Sequence, residues 1–179
     1  MKTIEAMKSF ELARKNYQPE KVACLSKEEM QWFRDAKFGM FIHWGIYSML
    51  GKGEWVLFYD RLNVKEYEKL TDDFKAEKFD ARAWAKAAKD AGMKYMVLTT
   101  RHHDGFCLFD SKTSDFKATN SAAEKDFVKE YVEACREAGL KVGFYYSPLD
   151  WRFPGYFFPD LYWENAQALK KQCHDQLIE

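Results

Sequence analysis

Three of the four histidines stand where short apolar runs end, and each run closes on residues that could do chemistry. Residues 38–44 read Phe-Gly-Met-Phe-Ile-His43-Trp44. Residues 95–100 lead into Arg101-His102-His103-Asp104-Gly105, and residues 140–147 end in Tyr145-Tyr146-Ser147. The segment after the first run adds Gly53-Glu54-Trp55. If the runs are parallel strands, these residues share the carboxyl-end rim, where βα folds gather their function. One such histidine would read as a structural, hydrogen-bonded residue; three on one rim read as a site.

Two chemistries compete for that rim. His43, His102 and His103, with Asp104, could form a metal site with an open position. Against it, adjacent histidines at a strand end are expected to point to opposite sides, and no His-x-His or His-x-x-Glu-His spacing is present. The second chemistry is a polyhydroxylated ligand. Neutral imidazoles both donate and accept, Glu54 accepts, and Trp55 and Tyr145 offer an aromatic platform and a hydroxyl. That reading uses every residue of the set, so sugar binding is expected and metal is not.

Runs apolar on both faces are the mark of parallel strands buried under helices. The two later runs each follow a helical pattern. Asp80 can cap residues 81–91, with Trp84, Ala87, Ala88 and Ala91 expected on the sheet face and Gly92 as the left-handed stop. Asp126 likewise precedes a helix that ends at Gly139. Ser26 and Glu29 form a capping-box pattern that predicts a short helix to about residue 36. A last helix is expected over 161–178. Residues 1–25 read as an N-terminal arm, and residues 26–179 as successive βα units with right-handed crossovers.

Composition narrows the partners. Basic and acidic residues balance at 28 each, which argues against nucleic acid or an anionic membrane. Aromatic residues make up 17%, which suits either a bulky core or the C–H faces of a sugar. The four cysteines are widely spaced, with no Cys-x-x-Cys pair, so a zinc ribbon or redox pair is not expected. No signal peptide or membrane span is evident at the N-terminus, and localisation is left unassigned.

The segments Lys37-Phe-Gly-Met-Phe-Ile-His-Trp-Gly-Ile-Tyr-Ser48, Gly53-Glu-Trp55, Leu98-Thr-Thr-Arg-His-His-Asp-Gly-Phe-Cys-Leu108 and Gly143-Phe-Tyr-Tyr-Ser147 with Asp150-Trp151 resemble α-L-fucosidases of glycoside hydrolase family 29. The resemblance covers residues 28 to 179. It implies a (β/α)8 barrel, a TIM barrel, of which about the first three βα units are present here. It also implies a retaining exo-glycosidase that removes terminal α-L-fucose from glycans, with no cofactor. Position by position, His43, His102 and His103 resemble the fucose-hydroxyl ligands, Glu54 and Trp55 their acidic and aromatic partners, and Tyr145 the pocket tyrosine. Asp104 and Gly105 fit better as turn formers, and Phe106, Cys107 and Leu108 as packing beneath the site. The family's nucleophile sits in a Trp-x-Asp-Gly context on strand four, and its acid/base later still. Neither context occurs before Glu179, so the chain is expected to end one strand short of its catalytic carboxylates, with no catalytic residue of its own. Alternatives are a non-catalytic fucose-binding module and a histidine-based metal hydrolase. Open sheet edges would invite association, including a homo-oligomer.

Overall fold

Asp80 and Asp126 carry short polar side chains just ahead of helical runs, and both cap them. Asp80 accepts the Ala83 N–H at 2.9 Å and Asp126 accepts the Lys129 N–H at 2.8 Å, each satisfying an amide that the first helical turn leaves unpaired. These are residues of a computed structural model that describes 25–157 and 161–178. The expected arm lies outside the described residues except for Leu25. The chain divides into two units, Met1–Lys37 and Phe38–Glu179.

In the first unit the capping box forms in both directions. Glu29 N–H reaches Ser26 Oγ at 3.1 Å, and Ser26 N–H reaches Glu29 Oε2 at 2.8 Å. Residues 27–30 nevertheless wind as turns, so the helix α1 is confined to Gln31–Ala36 and ends at Lys37 in the left-handed region, φ 52°.

The second unit is α/β: a parallel three-stranded sheet with helices. Strands β1 (Gly39–Ile42), β2 (Tyr95–Arg101) and β3 (Lys141–Tyr146) lie in the order β1-β2-β3, with Gly39 paired to Tyr95 and Tyr95 to Lys141. Between β1 and β2 come α2 (Val56–Tyr59), α3 (Val64–Glu68) and α4 (Ala81–Asp90). Helix α5 (Phe127–Ala138) precedes β3; α6 (Pro154–Phe157) and α7 (Trp163–Ile178) come after it. Gly92 and Gly139 stand in the left-handed region, at φ 80° and 73°, where each helix turns into the next strand.

Two expectations need correcting. The buried stripe of α4 is Ala81, Ala85 and Ala88, while Ala87 and Ala91 are exposed and Trp84 is half-buried. The stripe runs i, i+4, i+7, so Trp84 falls at its edge and leans instead on Trp44 and Phe79, with ring centroids 5.7 and 4.9 Å away. The strands are also not apolar-buried throughout. Central β2 comes nearest, with Tyr95 and Val97 half-buried and its buried end polar at Thr99, Thr100 and Arg101, whereas Phe41 of β1 and Phe144 of β3 are 52% and 55% exposed. The core gathers Met96 and Leu98 of β2, Phe127 and Tyr131 of α5, and Phe74 and Phe106 from the loops. Helix α7 buries Leu169, Cys173 and Gln176. Its Gln176 accepts the Tyr146 hydroxyl at 2.7 Å, which ties it to the end of β3.

Candidate active site

The β2–β3 pairing slips by one residue at its carboxyl end, with Thr99 opposite Tyr145 but Arg101 opposite Tyr146. Such a bulge bends the strand and re-aims the residues beyond it. The chain then leaves the sheet and turns at His102 and His103, so strand alternation no longer governs them. Their rings lie side by side, centroids 4.2 Å apart. The expectation that adjacent histidines diverge fails here for that reason.

The six candidate residues come together. His43, just past β1, lies 5.6 Å from His102 and 6.0 Å from Tyr145 by ring centroids, and His102 stacks on Tyr145 at 5.7 Å. On the other side of the pair, His103 meets the edge of Trp55 at 5.2 Å. Glu54 closes the group: ligand-capable atoms of His43, Glu54 and His102, one from each, lie within 4.8 Å of one another. These three, rather than the trio with His103, are the residues that could approach a cation. His103 Nδ1 is already engaged by Ser147 Oγ at 2.6 Å, and Asp104 turns away to Tyr67.

Burial, with the neighbouring His103 and His43, pushes the His102 pKa down to about 3. Burial and the Arg101 charge also lower that of His103, against the pull of Glu54. Both rings are therefore neutral at ordinary pH and can donate and accept at once. Glu54 lies beside them as a carboxylate acceptor.

Below the rings lies a layer the sequence did not disclose. Arg101 is fully buried; its Nη1 donates to the Ser147 and Leu149 carbonyls at 2.5 and 2.9 Å, and its Nη2 to Asp150 Oδ2 at 2.6 Å. Asp150 also receives Arg152, from Nε to Oδ1 at 3.0 Å and from Nη2 to Oδ2 at 2.7 Å. Arg152 reaches on to Glu68 at 3.1 Å. Trp151 N–H donates to the His103 carbonyl at 2.9 Å, and its ring packs 5.0 Å from Trp55. The loop after β3 is thus stitched to the loop after β2. Asp104 is the turn former expected of it, accepting the Phe106 N–H at 3.1 Å, and it also takes the Tyr67 hydroxyl at 2.7 Å. Gly105 must be glycine. Its φ is 79°, and a Cβ there would sit 2.2 Å from Asp150 Oδ2. On the His43 side, Thr99 Oγ1 accepts the Trp44 N–H at 3.2 Å and donates to the Trp44 carbonyl at 3.1 Å. Phe106, Cys107 and Leu108 are buried beneath the site, Cys107 with a free thiol. His174 lies apart, exposed on α7 beside Asp175.

Residues 5–179 match the family model described as Alpha-L-fucosidase. The chain belongs to the α-L-fucosidase family. Among α-L-fucosidases it is 36% identical over 141 residues to the plasma enzyme of Homo sapiens, covering 69% of this chain and 30% of that one. Isoenzyme 1 from Paenibacillus thiaminolyticus shares 57% identity with a TM-score of 0.69, over 71% of this chain and 30% of that one. An α-L-fucosidase of Bacteroides thetaiotaomicron, solved as a trapped covalent intermediate with 2-fluoro-fucosyl fluoride, shares 35% identity and a TM-score of 0.75, over 86% of this chain and 38% of that one. The chain spans about a third of the length of the curated fucosidases it matches.

Proposed function

We propose that this chain forms the opening part of a (β/α)8 fucosidase barrel and supplies the sugar-binding rim of a retaining exo-glycosidase that removes terminal α-L-fucose from glycans. The observation that carries the reading is the convergence of His43, Glu54, Trp55, His102, His103 and Tyr145 on one rim. A pyranose presents hydroxyls that donate and accept, and C–H faces that prefer aromatic rings. Neutral His102 meets a hydroxyl in either sense, and neutral His103, whose Nδ1 is taken by Ser147, meets one through its other ring nitrogen. Glu54 accepts from a hydroxyl, and Trp55 and Tyr145 offer aromatic faces to the C–H groups of the ring.

Retaining hydrolysis needs two carboxyl groups about 5 to 5.5 Å apart, one to attack the anomeric carbon and one to protonate the leaving oxygen. Among the described residues, Glu54 is the carboxylate that joins the histidine cluster. Asp104 and Asp150 are buried beneath it and engaged by Tyr67, Arg101 and Arg152. We assign the nucleophile and the acid/base to none of the three: Glu54 and the histidines hold the sugar, Asp104 and Asp150 support the loops beneath, and other carboxylates of the whole enzyme break the bond. The covalent intermediate of the Bacteroides relative supports a retaining course for the whole enzyme.

The test pairs two measurements on this chain. Calorimetry is expected to show saturable binding of L-fucose, unchanged by chelator. An aryl α-L-fucoside is expected to release no phenol above background. Turnover near that of a full-length fucosidase would overturn the assignment of the carboxylates, and binding abolished by chelator would favour the cation at His43, Glu54 and His102.

A further inference from the structure

The His103 ring is held from behind by one hydroxyl. Ser147 Oγ lies 2.6 Å from His103 Nδ1, and the Leu149 backbone N–H donates to the same oxygen at 3.1 Å. Ser147 is 1% exposed. Among the described residues its hydroxyl proton has one acceptor within reach, His103 Nδ1. The reverse arrangement, with Nδ1–H donating to Oγ, would leave the hydroxyl proton buried and unpaired, a penalty larger than the bond's own contribution. The oxygen is also not free to move. Ser147 N–H donates to the Arg101 carbonyl at 3.0 Å, and the Ser147 carbonyl accepts from the Arg101 guanidinium at 2.5 Å. Arg101 in turn is clamped by Asp150 at 2.6 Å.

We infer that Ser147 is a positioning residue that fixes His103 as the Nε2–H tautomer, so that this ring offers the pocket a hydrogen-bond donor and never an acceptor. The hydrogen bond made by one ring nitrogen decides which of the two keeps the proton. Here Leu149 decides for Ser147, which decides for His103. The inference rests on the sugar reading for its ligand alone. A donor at this edge selects an oxygen lone pair, such as that of a ring hydroxyl, and discriminates against a donor-only group such as an ammonium at the same position. His102 is not fixed in this way, since its Nδ1 has no partner among the described residues. The two neighbouring rings therefore differ in role: His103 reads one sense of hydrogen bond, and His102 adapts to either.

The test is nitrogen NMR of the chain with labelled histidine, at neutral pH, with and without L-fucose. The unliganded protein is expected to show His103 Nδ1 as the unprotonated nitrogen and Nε2 as the protonated one. Ser147→Ala should mix the tautomers and weaken fucose binding about five- to tenfold, and Ser147→Thr should restore both. Two results would overturn the inference: an Nδ1–H tautomer in the parent chain, or an unchanged tautomer in Ser147→Ala, whether or not its binding weakens. The parent spectrum needs no variant to fold, and it reports the tautomer whether or not fucose binds. Failure of the sugar reading would thus appear separately, as a fixed Nε2–H ring with no response to fucose.

Discussion

Replacing Asp150 with alanine is expected to cost about 3 to 5 kcal/mol of folding stability, the penalty for leaving a buried charge without its partner. Arg101 and Asp150 are both fully buried, and Asp150 is the carboxylate that both Arg101 and Arg152 use. Without it, Arg101 keeps two carbonyls but no ion-paired carboxylate, and Arg152 keeps Glu68 as its ion pair. The Ser147–Leu149 loop and the Trp151 ring hang on the same clamp, so fucose binding should fall with stability. Urea denaturation followed by tryptophan fluorescence reads the loss as a lower midpoint at unchanged slope. Pairing Asp150→Leu with Arg101→Met should recover part of it, since an apolar pair of similar volume often matches a buried ion pair. A loss below about 1 kcal/mol for Asp150→Ala would mean the clamp is no stronger than a surface pair.

The pH dependence of stability should change shape when Asp104 becomes asparagine. Burial pushes the Asp104 carboxyl up to about 6, against the Tyr67 hydroxyl and the Phe106 amide that favour its charge, and the Asp150 charge adds to the rise. A carboxyl raised on folding contributes stability that is fully present below its unfolded value, 3.8, and that is lost as pH climbs through about 6. His102 works the other way. Its pKa falls from 6.5 to about 3, so its contribution is present above the unfolded value and is lost as pH falls. Between pH 4 and 6 the two slopes oppose each other, each worth about 1.4 kcal/mol per pH unit. The parent chain should therefore be nearly flat there. Asp104→Asn should grow more stable relative to the parent by about 2 to 3 kcal/mol from pH 4 to pH 7. A difference that stays constant with pH would show that Asp104 titrates as an ordinary surface carboxyl.

Much of the frame was legible because each helix carries its own punctuation. Asp80 with Gly92, and Asp126 with Gly139, mark α4 and α5 without any tertiary information, and the apolar runs mark three strands. The rim residues were legible because all of them lie at a strand end or in the segment after β1. What the sequence hid is what depends on register. Arg101 and Asp150 are 49 residues apart, and they meet because a bulge at Thr100 turns the end of β2 toward the loop after β3. Nothing in the local pattern of either residue predicts that pairing. His102 and His103 sit side by side, where strand alternation would separate them, because the chain has already left β2 and turns there. The stripe of α4 was misplaced because alanines at 81, 85, 87, 88 and 91 allow two overlapping faces. Packing of Trp84 against Trp44 and Phe79 chooses between them.

If His43, Glu54, Trp55, His102, His103 and Tyr145 form one fucose-binding rim, they must respond to the sugar as a unit. Titrating L-fucose and its mirror image, D-fucose, into the labelled chain while following histidine ring and Trp55 indole resonances reads that response. L-fucose is expected to shift His43, His102, His103 and Trp55 together along one saturable curve, with His174 on α7 unmoved and D-fucose far weaker. Equal responses to both enantiomers, or saturation that leaves these rings unshifted, would contradict a shared rim.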